Sequence, residues 1–121
     1  MRRYPAILFS VLLVLILAQA GPAFAAPAKK AKTTRDLMLA ELTAIQRDVS
    51  ANRWEAAWAG SVKLGAYWLQ YRAGHSGLKK GTIERFAKTH RNLQAHLRER
   101  SKVKIYFDLG VLRTVVLILK A

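Results

Sequence analysis

The chain has 121 residues, no cysteine and three prolines, which leaves room for one small domain and little else. With no cysteine there is neither a disulfide nor a thiolate metal site, so stability must come from packing alone. Lysine and arginine number 21 against seven acidic residues, a formal charge of +14 that disfavours cationic partners and favours anionic lipid, anionic wall polymer or nucleic acid, without choosing among them.

Arg2 and Arg3 precede an apolar run from Ala6 to Ala18, then the breaker Gly21-Pro22 and Ala23-Phe24-Ala25, a small-x-small cleavage pattern. Residues 1–25 read as a secretory signal peptide cut after Ala25. The alternative is an uncleaved signal anchor, since Ala6 to Ala26 just reaches the ~20 residues that a spanning helix needs. Both readings place the domain outside the cytoplasm, and loss of Arg2 and Arg3 lowers the formal charge to about +12. Residues 26–33, APAKKAKT, lack apolar periodicity and read as a flexible basic tether carrying Lys29, Lys30 and Lys32.

The folded part is expected over residues 34–121. Thr34 is placed to cap a first helix from Arg35 to Ser50, whose apolar stripe is Met38, Leu42, Ile45 and Val49, with Glu41, Arg47 and Asp48 pointing away. Asn52 and Glu55 have capping-box spacing for a second helix reaching Tyr71. That helix holds all three tryptophans. Trp54, Trp58 and Trp68 share a face with Ala57, Ser61, Leu64 and Gly65, which predicts a buried seam that the other helices cover. The short connection between the first two helices implies an antiparallel hairpin.

Gly74, Gly77 and Gly81 mark a loop, and its interleaved lysines do not fit phosphate-binding loop spacing. Thr82 is placed to cap a third helix from Ile83 to Arg100. Its apolar face is Ile83, Phe86, Leu93 and Leu97, with His90 among them as a hydrogen-bonded core histidine, and the opposite side carries Arg85, Lys88, Arg91 and Arg98. The last segment, Lys102 to Leu119, has strand-like β-branched density and a hairpin turn in Asp108-Leu109-Gly110. The helical stripe Ile105, Leu109, Leu112, Val116 and Leu119, and the lack of any other strand to pair with, favour a helix. Setting Ser50 against Ser101 aligns Trp54 with Ile105 and Trp58 with Leu109, as if two hairpins followed one plan. The expected fold is all-α, a small antiparallel four-helix bundle built from two helical hairpins.

From about Leu37 to Leu119 the order of features resembles an uncharacterised family, a domain of unknown function in small secreted or membrane-anchored helical proteins, mainly from spore-forming Gram-positive bacteria. The matching features are LTAIQRDVSANRWEAAW, the later Trp68, a loop, IERFAKTHRNLQAHL and a final apolar helix. The turn around Asn52 to Ala57 is also similar to a tetratricopeptide hairpin. The resemblance implies an extracytoplasmic helical bundle and supplies no activity. This basic surface departs from the more acidic members of that family, so no shared partner is implied.

No residue pattern spells a reaction. His90 and His96 lie on different sides of a helix and make no metal pair with each other, no base is placed beside Ser61 or Ser76, and each carboxylate has a cap or ion pair at hand. No catalytic residue, cofactor or metal is expected. Two functions remain in view. One is a non-enzymatic module docking on an anionic envelope surface through Arg85, Lys88, Arg91 and Arg98 with the tether lysines. The other is a structural or protein-interaction role, in which surplus apolar surface from Val111 to Leu119 meets a partner or a second copy.

Overall fold

Four stretches carry apolar side chains at helical spacing, and all four are helices in the computed structural model, which describes residues 32–121. They are α1 (Thr34–Ser50), α2 (Trp54–Gly74), α3 (Lys80–Glu99) and α4 (Lys102–Leu117). Helices adjacent in sequence fold back on one another as α1–α2 and α3–α4 hairpins. α1 also packs on α4, and α2 on α3, which closes an antiparallel four-helix bundle. The strand alternative for Lys102 to Leu119 is thereby set aside. The signal segment of residues 1–25 and the tether lysines Lys29 and Lys30 lie outside the described residues, while Lys32 is exposed just before α1.

The helix starts differ from expectation, for local reasons. Thr33, one residue before the expected cap, begins α1: its Oγ1 accepts from the Asp36 backbone N–H at 3.1 Å, and the Asp36 carboxylate accepts from the Thr33 N–H at 3.3 Å. Asn52 forms no capping box, because its backbone is left-handed (φ 60°) and serves to end α1 rather than to start α2. Thr82 is no cap either; α3 begins at Lys80, which puts Gly81 and Thr82 inside its first turn.

The tryptophan seam is corrected in part. Trp68 is buried and stacks on Phe86 with ring centroids 4.1 Å apart, but Trp54 and Trp58 are only half-buried at the edge of the core. The inward row of α2 is Ala57, Gly60, Ser61, Leu64, Trp68 and Tyr71. Gly60 is where α1 comes closest: a Cβ there would lie 2.8 Å from Ile45 Cγ1. Glu41, expected to point away, instead lies over Gly60 with its side chain mostly buried and Lys63 Nζ 3.9 Å distant. The expected stripes of α1 and α4 are buried throughout.

The two hairpins are one plan used twice, at a period of 48 residues rather than the 51 of the Ser50–Ser101 alignment. At this offset the buried Met38, Ile45 and Val49 of α1 fall on Phe86, Leu93 and Leu97 of α3, and Ala57, Leu64, Trp68 and Tyr71 of α2 fall on Ile105, Leu112, Val116 and Leu119. The turns match as well. The Arg53 N–H reaches the Asp48 carbonyl and the Asn52 N–H that of Val49; in the second copy Ser101 reaches His96 and Arg100 reaches Leu97. Asn52 and Arg100 are the two left-handed residues among those described, at φ 60° and 56°.

Candidate functional site

The residues that the bundle does not need for packing are the place to look for function, and the internal repeat separates them. Arg85, Lys88, Arg91 and Arg98 occupy positions whose α1 equivalents are Leu37, Ala40, Thr43 and Ser50, all uncharged. The basic face is therefore an addition to the plan and not part of it. Its four members do not form one stripe. Arg85 and Lys88 turn toward α4, where they line a cleft of about 420 Å³ together with Phe107 and Val111. Arg98 turns the other way, and its guanidinium lies 4.9 Å from the Trp58 ring centroid on the α2 side. Arg91 is exposed between these two flanks.

The α3–α4 flank is a furrow rather than an isolated dent. Arg85 and Gly81 are shared with a second cleft, of about 370 Å³, whose α4 wall includes Thr114 and Ile118. Lys79, Thr82 and Ile118 then lead into a third, of about 550 Å³, at the end of the bundle beside Tyr71, His75 and Lys120. Lys79, Arg85 and Lys88 line the furrow, with Glu84 beside them, and its α4 wall is apolar apart from Thr114.

The outward side of α4 carries more exposed apolar side chains than the expected Val111–Leu119 surplus covers. Val103 and Phe107 are 80% and 71% exposed, and Leu117 and Ile118 are 53% and 69% exposed. They lie opposite the inward stripe of α4, so the helix is apolar on both sides. The surplus expected from Val111 to Leu119 is present at its C-terminal end and extends back to Val103. The signal was available as the spacing of Val103, Phe107 and Leu117, which share one helical face.

The buried polar residues Ser61 and Asp108 sit elsewhere and are hydrogen-bonded. His90 Nε2–H donates to the Ser61 carbonyl at 2.7 Å, Gln94 donates to Ser61 Oγ at 3.1 Å, and Ser61 Oγ donates to the Trp58 carbonyl at 2.7 Å. His96 Nδ1 lies 2.6 Å from Asp108 Oδ2, and the Asp108 side chain is 4% exposed. This pair joins residues 12 apart, on α3 and α4, which a search for helical i+3 and i+4 partners does not reach. Nδ1–H donates to Oδ2, which gives a carboxylate buried in the core a hydrogen-bond partner. Arg35 holds the other end of α4 through the Val116 and Leu117 carbonyls at 3.2 and 3.0 Å. Among the described residues no helix is long and apolar enough to cross a membrane.

Fold and site together define a small antiparallel helical bundle of duplicated hairpins with one cationic, apolar-walled flank. Compared with protein-family models, curated proteins and solved structures, the chain matches none.

Proposed function

We propose that the protein is a non-enzymatic, extracytoplasmic binding module that docks on an anionic envelope surface, lipid or wall polymer, through the basic side of α3. One observation carries the reading: Arg85 and Lys88 stand together on the α4 flank at positions left uncharged in the first hairpin. The formal charge of about +12 left without residues 1–25 exceeds what solubility asks of a chain this size and opposes folding by self-repulsion. The resemblance to small secreted or anchored helical proteins agrees with this placement and rests on pattern alone. Lys29, Lys30 and Lys32 of the tether would add to the same attraction.

The test is co-sedimentation of the whole protein with anionic vesicles and with isolated anionic wall polymer, for the parent and for R85Q/K88Q/R91Q. Glutamine keeps helix propensity, so the fold is retained. Each base near an anionic membrane contributes about 1 kcal/mol, so three removed together should weaken binding on the order of 100-fold and flatten its salt dependence. Unchanged binding overturns the reading. R98Q alone should have a smaller effect, because that guanidinium is engaged by Trp58 on the far flank.

The second reading, a structural or interaction protein offering an apolar groove to a partner or to a second copy, is favoured by the exposure of Leu117 and Ile118.

A further inference from the structure

Four large apolar side chains stand in water along one helix, and the fold does not ask for them. Val103, Phe107 and Ile118 fall on Glu55, Ala59 and Gln70 of α2 at the 48-residue offset, so the equivalent helix manages with polar or small residues there. Leu117 falls on Leu69, which is itself exposed. Between them, Gly110 and Thr114 continue the outward row without a charge, and nothing lies within 4 Å of a Cβ built on Gly110. The row spans the length of α4, about 22 Å at 1.5 Å per residue. Arg85 and Lys88 run beside it on α3.

We propose that this row is the part of the molecule that enters an anionic bilayer, with α4 lying in the interfacial plane and the α3 bases at the level of the lipid phosphates. The inference rests on the anionic-surface reading above and selects lipid from the two surfaces named there. Val103, Phe107 and Ile118 of the row, like the bases, are departures from the repeat, and Phe107 and Ile118 line clefts together with Arg85. A hydrated polyanion would engage Arg85 and Lys88 but offers nothing to Phe107, which gains only by leaving water. A second copy would cover the apolar row but would bring the flanking bases of two strongly cationic chains together. An anionic bilayer accommodates both features, since phosphates meet the bases and the acyl boundary takes the apolar row. The depth is shallow: an amphipathic interfacial helix sinks about 5–10 Å, and this one has its other face committed to the bundle core.

The chain contains no cysteine, so single substitutions can be labelled cleanly. Val103→Cys and Leu117→Cys, with Leu69→Cys on the outward side of α2 as control, would carry an environment-sensitive NBD fluorophore on the whole protein. Vesicles of phosphatidylglycerol with phosphatidylcholine should raise and blue-shift emission at 103 and 117 and leave 69 unchanged. Phosphatidylcholine alone should do neither. Phe107→Ser should lower the vesicle response of the label at 117 about tenfold in apparent affinity. Salt-reversible vesicle binding with no change at 103 and 117 overturns insertion and leaves the anionic-surface reading standing. Binding to wall polymer alone does the same. If neither vesicle nor polymer binds, both readings fall. A blue shift that grows with protein concentration in the absence of lipid assigns the row to a second copy and overturns the proposal.

Discussion

Gly60 and Gly110 are both interior helix positions, yet alanine should act on them with opposite sign. In an exposed helix, replacing glycine by alanine gains about 1 kcal/mol, because glycine gives up more backbone freedom on folding. Gly110 meets that condition: it is exposed, and a Cβ there touches nothing within 4 Å. G110A should therefore be more stable by roughly 0.5–1 kcal/mol, about 5 °C in Tm for a domain of this size. Gly60 is buried against α1, where a Cβ would lie 2.8 Å from both Ile45 Cγ1 and Glu41 Oε2. Glu41 can swing its far end aside. Ile45 cannot, because a β-branched side chain in a helix is held near one χ1 and this one is 0% exposed. The helices must move apart, and overpacking of this kind costs about 1–3 kcal/mol, so after the propensity gain G60A should lose up to about 2 kcal/mol net. Urea denaturation followed by circular dichroism measures both against the parent, with equal slopes required for the comparison. G60A as stable as G110A would refute the close α1–α2 approach, and with it the pairing of these two helices as drawn.

Trp68→Ala should cost about 3–5 kcal/mol, the range for an aromatic removed from a core, whereas Trp58→Ala at the half-buried edge should cost clearly less. Urea midpoints decide this, and a larger loss at Trp58 would restore the three-tryptophan seam. His96→Ala should cost about 3 kcal/mol by leaving the Asp108 carboxylate buried without its partner, and the double variant His96→Ala with Asp108→Leu should recover most of that loss. A double variant no better than His96→Ala alone would mean that the pair is not what the destabilisation reports.

Periodicity made the fold legible, because four stripes at helical spacing and three short connections leave few ways to bury apolar surface. Met38, Leu42, Ile45 and Val49, and Ile105, Leu109, Leu112 and Val116, could be assigned to the core from spacing alone, and they are there. The helix starts were less legible. Asn52 and Thr82 are good caps by residue type, but what a residue at a helix boundary does depends on a single pair of dihedrals, and a left-handed Asn52 ends one helix instead of opening the next. The second helix was misread for a related reason. It is apolar nearly all round, so spacing alone does not say which tryptophans face inward, and the close approach of α1 at Gly60 settles that in three dimensions. The His96–Asp108 pair lay outside any reading along the sequence, since its partners come from two helices.

The repeat gives the site a sharper definition than charge did. Comparing the hairpins at an offset of 48 residues removes what packing requires of both, and what remains belongs to one copy alone. On α3 that remainder is Arg85, Lys88, Arg91 and Arg98; on α4 it is Val103, Phe107 and Ile118 outward and Asp108 inward. Asp108 replaces Gly60, so the close helix approach of the first hairpin gives way in the second to a hydrogen bond with His96. A carboxylate 4% exposed contributes little stability when compared with an apolar packing contact, but its one short bond joins α4 to α3 at a single register, alongside the two-residue turn between them. Register is what keeps Phe107 and Val111 beside Arg85 and Lys88, because a slide by one turn would move the apolar row about 5.4 Å past the bases.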